Sequence, residues 1–562
     1  MSAPTVAIGR LSATLHDDGS ASAGRAGLET PLRCVVEGGL ERALREVRLP
    51  AGRWCVRRLR LTVPLDLDRP GPASGQDWSA AMAAAIERTI REGRGEIVHY
   101  RHDVELLADV VAGVASGRTG RLWAWQQAGA LRPGDPAPTA EPRTAVLAAL
   151  GRVPRHAAAA LLRAAAVCGL PALDRVLGEE GWQAVAALTA VASWCGPGPA
   201  GPRGGTDADT APVAPARALA RTLLAGSALA GLARSARLRP GPATLAAWAV
   251  LVAAEADPGS LHRRPHPALP RVLAEELGAV LGSAAQPPVT DRTAEAPAPT
   301  APSSGCANGE RRPAADSTAT GGEPAEGAPR PSGEGSQDQP GRADVTAEDP
   351  TAEAPSAGPA GDPRRHRAET RPSQPARTHR DDGPAPGTAP DGASGEFTGW
   401  AGLLFLLATA ADAGLPQRAL DDTALTARPL RWVLHRIGCE LLPDAAPDDA
   451  ALVALAGVGP AHAGALLAAP PPTAAELARV RALAAAWAAA TAARLDPENG
   501  SADGRAAVRA IARRGGEVFA EPGWIEVRLG VAQTDLRVRR AGLDLDPGWV
   551  PWLGAVVRYV YA

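Results

Sequence analysis

Lysine is missing from this chain: 59 of its 562 residues are basic, and every one of them is arginine. A phosphate-binding P-loop needs a lysine that reaches the β- and γ-phosphates, so that class of nucleotide site is excluded. Schiff-base chemistry, pyridoxal-phosphate attachment and the strand lysine of protein kinases are excluded for the same reason. The absence removes several large enzyme classes before any motif is considered.

Aromatic residues and cysteine are also scarce. Aromatics make up 3% of the chain and thirteen of them are tryptophan, so Trp supplies the few large anchors for cores built from Ala, Leu and Val. The six cysteines are scattered without a CxxC or CxH spacing, which argues against a disulfide framework and against zinc. The residues indicate neither a metal nor an organic cofactor.

A strong net charge and long apolar runs are absent too. The net charge is −2 and the pI about 6.6, so nothing global attracts nucleic acid or an anionic membrane. The N-terminus lacks the basic and apolar regions of a secretory signal. The apolar runs 245–254 and 400–411 are shorter than the ~20 residues that span a bilayer. We therefore expect a soluble, cytoplasmic protein without a membrane partner.

Composition divides the chain into three parts. Residues 284–396 consist almost entirely of Pro, Ala, Gly, Ser, Thr, Asp, Glu and Arg, a mixture that buries too little apolar surface to offset its ordering entropy. We expect this tract to be a disordered linker. It separates an N-terminal domain at 1–283, with β-type sequence followed by helices, from a C-terminal domain at 397–562 that is helical and ends in strands.

Hydrophobic periodicity predicts the secondary structure. Apolar and polar residues alternate in 56–65, 525–529, 536–538 and 557–561, which predicts strands with one apolar face. Between these stretches apolar residues recur at helical spacing, as in 102–116. The predicted fold class is α+β and mainly helical, with two folded halves and short β-regions near both termini.

Three short motifs resemble chemical sites, but each has a simpler structural explanation. His99 and His102 have the spacing of metal ligands, yet no third ligand cluster accompanies them and they sit at a helix start. The G-x-G-x-x-G match at 196–201 follows a helical pattern, so a plain loop is favoured. Asp544 and Asp546 could form a catalytic pair, but capping a turn or pairing with Arg is favoured. We expect no catalytic residues and no enzyme.

Residues 452–466 carry an alternative function. Gly457 and Gly459 have the spacing of a helix–hairpin–helix turn, which offers backbone N–H groups to a DNA phosphate. No basic residue follows until Arg479, although phosphate binding normally uses Arg or Lys. A glycine-containing turn between two Ala-rich helices has the same sequence pattern. The alternative to a structural role is a nucleic-acid-binding adaptor that uses this hairpin.

Three longer stretches carry a family resemblance. They are HDVELLADVVAGVASGRTGRLWAWQQ at 102–127, FTGWAGLLFLLATAADAGLP at 397–416 and RRAGLDLDPGWVPWLGAVVRYVY at 539–561. These stretches resemble large proteins associated with extracellular contractile injection systems, which are phage-tail-like particles. The resemblance implies a non-enzymatic structural or assembly component, either tape-measure-like or an assembly or loading factor. It also implies protein partners among the tube, sheath or baseplate subunits.

Tryptophans mark each of the three stretches. The candidate anchors for structure or for a partner are Trp123, Trp125, Trp400, Trp549 and Trp552. Trp549 and Trp552 flank a proline between two β-type segments. We therefore expect both rings to be substantially buried and to fix the path of the last strand.

Overall fold

The structure, a computed structural model, describes residues 7–11, 29–47, 49–63, 72–93, 96–193, 213–262, 269–283, 395–496 and 503–562. The described residues before 284 form the N-terminal segment and those after 394 form the C-terminal segment. Both belong to one compact unit, which comprises Met1–Val289 and Thr388–Ala562. The predicted linker at 284–396 lies outside the described residues, except for its last two positions, and so does the motif at 196–201.

Helices form most of the N-terminal segment: the first three pack around a small cluster that includes Val35 and Met82, and the rest surround one large core. The helices are α1 (Glu29–Cys34), α2 (Leu40–Glu46), α3 (Pro72–Arg91), α4 (Asp103–Ala115), α5 (Leu122–Gln127), α6 (Pro142–Arg152), α7 (Ala157–Cys168), α8 (Leu170–Ser193), α9 (Val213–Gly226), α10 (Ala228–Ala236), α11 (Pro242–Ala256) and α12 (Leu269–Ser283). Trp125, Trp182 and Trp248 are each 1% exposed and anchor this core among Ala, Leu and Val. The rings of Trp182 and Trp248 meet edge to face, with 5.5 Å between centroids.

A two-stranded sheet packs beside these helices. Strand β1 (Arg53–Arg58) pairs antiparallel with β2 (Glu96–Tyr100). The strand predicted at 56–65 therefore begins and ends earlier than expected. Its alternating apolar residues beyond Arg58 find no paired strand among the described residues, and an alternation without a partner does not make a sheet.

Helices also form most of the C-terminal segment. They are α13 (Gln417–Leu420), α14 (Leu430–Leu441), α15 (Ala450–Leu455), α16 (Gly464–Leu467), α17 (Ala474–Leu495), α18 (Gly504–Ala512) and α19 (Leu536–Arg540). A 3-10 helix at Ala401–Thr409 runs through the core and is almost entirely buried. The Trp487 indole N–H donates to the Leu406 carbonyl of this helix at 2.9 Å, so a buried carbonyl is satisfied.

A five-stranded sheet closes the C-terminal core. Its strands are β3 (Glu396–Thr398), β4 (Gly516–Glu521), β5 (Trp524–Leu529), β6 (Gly548–Val550) and β7 (Ala555–Tyr561). The spatial order is β3-β4-β5-β7-β6, and β5 and β7 run parallel while the other neighbours run antiparallel. The predicted strands at 525–529 and 557–561 both lie in this sheet.

Residues 536–538 form a helix rather than the predicted strand. The Asp535 carboxylate accepts the backbone N–H of Arg537 at 2.8 Å, which caps the first turn of α19. An alternation over only three residues is weak evidence for a strand, and here the local capping interaction outweighs it.

Helices dominate the described residues and strands lie near both ends of the chain, which confirms the predicted mainly helical α+β class. Within the described ranges, no single helix has both the length and the apolar character to cross a membrane. The pair Pro142–Arg152 and Pro154–Cys168 meets both criteria together, but it is bent by 108°.

Candidate functional site

Trp125 anchors a polar network in the N-terminal segment. Its indole N–H and the Tyr100 hydroxyl both donate to Oδ2 of Asp109, each at 2.8 Å. Arg121 donates to the other carboxylate oxygen at 2.9 Å. Burial and the Asp109 charge together raise the pKa of Tyr100. Trp123 is only half-buried. Of these two candidate anchors, Trp125 therefore has a structural role, because it ties α4 and α5 to β2.

The other candidate tryptophans, Trp400, Trp549 and Trp552, are half-buried. Trp400 lies beneath the guanidinium of Arg513, whose central carbon is 5.3 Å from the ring centroid. Trp552 packs at the rim of the C-terminal core. Trp549 lines an interface, described below, and Trp552 lines a core rim, so both rings of the last turn are largely covered.

Asp544 and Asp546 hold the last turn together. Asp544 pairs with Nε of Arg539 at 2.8 Å and accepts the Tyr561 hydroxyl at 3.1 Å. Asp546 accepts the backbone N–H of Tyr559 at 2.7 Å. Burial and the Asp544 charge raise the pKa of Tyr561 to about 12. This geometry supports the structural interpretation of the two carboxylates.

Gly457 and Gly459 lie against the protein's own sheet. Gly457 has a φ of +70°, and a side chain there would meet Leu553 at 3.1 Å. A side chain at Gly459 would collide with the backbone of Ala520. The N–H groups of Gly457 and Val458 donate to carbonyls of α15. Two of the groups that would hold a phosphate are therefore engaged within the chain, and the geometry adds no support for nucleic-acid binding.

His99 and His102 have different structural roles and do not share a site. His99 stacks on Trp54 at 4.0 Å between centroids, and its Nε2 lies 3.0 Å from the Ala51 carbonyl. His102 accepts the backbone N–H of Glu105 through Nδ1 at 3.3 Å, which caps α4. In the part of the chain that the structure describes, no group of three His, Cys, Asp or Glu side chains is placed to hold a metal.

The two segments meet along one row of side chains on the C-terminal sheet. Backbone pairing places Glu521, Trp524, Val556 and Trp549 side by side across β4, β5, β7 and β6. We call these four residues the joint row. Alternate residues such as Val527 are buried on the opposite face, so the joint row projects away from the C-terminal core.

Charged and aromatic contacts cover the joint row. Glu521 pairs with Arg101 at 3.0 Å and with Arg163 at 2.6 Å, and both arginines belong to the N-terminal segment. The Trp524 ring stacks on His102 with centroids 4.8 Å apart and planes 17° apart. The end of the sheet face that carries the joint row is therefore an interface between the two segments, within the compact unit. We call this interface the joint.

A tight turn allows this close approach. Gly523, between Glu521 and Trp524, has a φ of +80°, as the second central position of a type II turn requires. A side chain on Gly523 would meet Ala159 at 2.8 Å and Val104 at 3.2 Å. Any larger residue at this position would push the two segments apart.

Glu521 is the residue at which the ion pairs of the joint converge. Burial acts to raise its pKa, but His102, Arg101 and Arg163 outweigh burial and lower the pKa to about 2. Nε2 of His102 lies 3.6 Å from the carboxylate, which is too long for a hydrogen bond. The carboxylate is therefore ionised at neutral pH and is matched by two guanidinium groups.

His156 and Trp549 meet at the other end of the joint row. Their rings are perpendicular, with centroids 5.6 Å apart, and His156 is 2% exposed. Nε2 of His156 accepts an N–H from Arg155 at 3.3 Å. Nδ1 of His156 and Nε1 of Trp549 are buried without a hydrogen-bond partner among the described residues. Burial, followed by the neighbouring Arg155, lowers the pKa of His156 to about 4.

Charged groups also mark a second contact between the segments. Oδ2 of the fully buried Asp257, in the N-terminal segment, accepts the backbone N–H of Leu430 at 2.7 Å. This carboxylate therefore caps α14, a helix of the C-terminal segment. Arg431 follows on the same helix with its Nε buried. Burial lowers the pKa of Arg431, while Asp257 and Glu255 act to raise it. This second contact therefore brings the buried Asp257 carboxylate close to the partly buried Arg431.

The remaining part of the same sheet face is more exposed. Its two rows, which we call the open rows, are Phe397, Glu517, Arg528 and Val560, followed by Phe519, Glu526 and Arg558. Phe397 is 76% exposed, and the guanidinium carbon of Arg528 lies 4.1 Å from the centroid of Phe519. Aromatic surface and charge are therefore presented together.

Strand β3 forms the edge of the sheet beside these rows, and Phe397 is its central residue. Among the strands that the structure describes, β4 is its one neighbour. An edge strand presents backbone N–H and C=O groups that can pair with a strand from another chain.

The residues of the joint lie mostly outside the sequence predictions. Trp549 is a predicted anchor and His102 a candidate ligand, but Glu521 and His156 carry no sequence signal as joint residues. The available signal is the stretch Glu-Pro-Gly-Trp at 521–524, where Pro-Gly predicts a tight turn that brings Glu and Trp together.

No protein-family model matches the chain, and the comparisons with curated proteins and with solved structures give no match either. What the protein does must therefore be inferred from its surfaces and from the three stretches at 102–127, 397–416 and 539–561.

Proposed function

We propose that this protein is a non-enzymatic assembly component of an extracellular contractile injection system. It works in the cytoplasm through contacts with tube, sheath or baseplate subunits. The observation that carries the proposal is the exposed sheet edge, where Phe397 is 76% exposed at the centre of β3. An exposed aromatic on an edge strand suits the addition of a strand from a partner protein.

The three resembling stretches support the proposal by their positions. The stretch 102–127 contains the Trp125–Asp109 hydrogen bond, and 539–561 contributes Val556 and Trp549 to the joint row. The stretch 397–416 begins at Phe397 and continues into the buried 3-10 helix. The resemblance thus includes the framework of the fold together with the residue that we assign to partner binding.

Of the two roles that the resemblance implies, we favour an assembly or loading factor over a tape measure. A tape measure needs long continuous helices. The longest described helices, α8 and α17, have 24 and 22 residues, or about 36 and 33 Å, and α8 is kinked at Gly178. Deleting part of 284–394 should therefore leave particle length unchanged in electron micrographs, whereas a tape measure would give proportionally shorter particles.

Replacing Phe397 tests the binding surface. We expect Phe397→Ser to weaken capture of a tube, sheath or baseplate subunit and to leave particles scarce or unfinished. Val191→Ser is the matched control, because Val191 is 73% exposed on α8 in the N-terminal segment. Normal, fully loaded particles after complete deletion of the gene would overturn the proposed function.

A further inference from the structure

We propose that the joint is a proton-sensitive latch, in which protonation of His156 releases Trp549 and uncovers that end of the joint row. The proposal rests on an interface between two segments. His156 is 2% exposed, and its ring contacts Trp549 at 5.6 Å between centroids. A charge on a ring this deeply buried is stable only if the surroundings supply a partner or if water enters.

The hydrogen bonds of His156 require a neutral ring. Nε2 accepts an N–H from Arg155, so a proton on Nε2 would remove the acceptor and place the imidazolium against a guanidinium. Nδ1 is buried and has no partner among the described residues. We infer that the charged ring reaches water by leaving its contact with Trp549.

Groups on three elements face His156. Arg155 lies in the same turn, His102 and Asp103 lie at the start of α4, and β6 contributes the uncharged indole of Trp549. Asp103 is the acidic group among those that act on the ring, and it is already paired with Arg53 at 3.1 Å. The surroundings therefore oppose a positive charge on His156.

The second buried histidine of the joint has different neighbours. Nε2 of His102 lies 3.6 Å from the Glu521 carboxylate, so this ring has an acidic neighbour. His156 faces Arg155 instead. The acid response is therefore assigned to His156, although both histidines lie in the same interface.

The direction and size of the response follow from proton linkage. The pKa of His156 is about 4 in the closed joint, against ~6.5 for an exposed histidine. The closed joint binds fewer protons than the open joint between these two values, so acidification favours opening. From pH 7.5 to pH 5.0 the opening equilibrium constant should rise roughly 30-fold.

Hydrogen exchange of the full chain at pH 7.5 and pH 5.0 tests the proposal. Rates are divided by the intrinsic rate at each pH, and the informative peptides are 153–160 and 548–556. We expect opening in these peptides to rise roughly 30-fold in the wild type. His156→Gln, which retains an acceptor for Arg155 but does not titrate, should abolish the rise. His462→Gln, at an exposed histidine, should behave as the wild type.

A second variant keeps the test decisive if His156→Gln fails to fold. Arg155→Gln removes the guanidinium that opposes the proton, so its response should be smaller than that of the wild type. The proposal is overturned if the response is unchanged in Arg155→Gln or in a folded His156→Gln. It is also overturned if acid raises exchange equally in the C-terminal core, since general unfolding would then explain the change.

Discussion

Two parts of one sheet face carry similar side chains but have different neighbours. In the joint row, Glu521 pairs with Arg163 from the other segment of the chain, 358 positions away. In the open rows, Glu526 pairs with Arg528 on its own strand, at 2.7 Å. Both regions also present aromatic rings. The covering helices, rather than the residue types, therefore decide which part of the face is an interior interface and which is a surface.

The difference determines what a substitution should change. In the joint row Glu521 pairs with two arginines of the other segment, and the rings of Trp524 and Trp549 contact buried histidines, so these contacts contribute to the free energy of unfolding. In the open rows a pair such as Glu526–Arg528 is partly exposed, and exposed pairs contribute little to stability. Changes in the open rows should instead alter association with a partner.

The strongest test of this difference is to remove one ring from each part. Trp549→Ala should lower the free energy of unfolding by about 3 kcal/mol, because it leaves a cavity beside His156 in the joint. Phe397→Ala, at an exposed position, should lower it by less than ~0.5 kcal/mol. Urea denaturation of both variants measures the contrast, and equal losses would show that the joint row is not held more tightly than the open rows.

Neutralising one carboxylate in each part is the next test. Glu521→Gln keeps the shape of the side chain but removes one of the two carboxylates that Arg101 and Arg163 share, the other being Glu105, which should cost about 2 kcal/mol. Glu526→Gln breaks a pair on one strand and should cost less than ~1 kcal/mol. A larger loss for Glu526→Gln, by the same denaturation measurement, would contradict the assignment of Glu521 as the centre of the joint.

The pH dependence of stability gives a smaller but more specific effect. The folded pKa of Glu521, about 2, is depressed below the value near 4.3 of an unfolded glutamate. Its contribution is therefore fully present above pH ~4.3 and is lost as pH falls towards 2. The free energy of unfolding, measured by urea denaturation at pH 5, 4, 3 and 2, should fall more steeply with decreasing pH for the wild type than for Glu521→Gln. The same pH dependence in both proteins would mean that the arginines do not stabilise the ionised carboxylate.

The smallest expected effect on stability is at the edge strand. Phe397→Ser should change the melting temperature by no more than about 2 °C, since the side chain is 76% exposed. The same variant should weaken partner capture, so stability and binding should separate at this position. A marked fall in melting temperature would place Phe397 in the framework of the fold instead of on its binding surface.

The sequence predicts those parts of the fold whose signal is local. Helices such as α4 and α17 and strands β5 and β7 have a complete apolar face within one stretch, so periodicity finds them. Strand β2 and the edge strand β3 are only five and three residues long, and they are strands because a distant partner pairs with them. The error at 536–538 has the same origin, since an alternation that short cannot specify a strand.

From the sequence, the predicted residues of the candidate site are Trp125, Trp549 and His102. Trp125 and Trp549 stand out because large residues are rare in this chain. Glu521 and His156 do not, because their roles are recognised only once distant segments come together. A joint made of pairings across hundreds of residues leaves no local pattern in the sequence.

The joint also affects how the chain responds to being cut. The 111 residues from 284 to 394 are joined at both ends to the same compact unit. While this connection is intact, the two segments meet in a unimolecular step whose effective concentration does not depend on the amount of protein. One cut within it makes the same contact bimolecular, so the pieces remain together only above their dissociation constant. Dilution alone, which does not separate the segments of the intact chain, should then take the nicked protein apart.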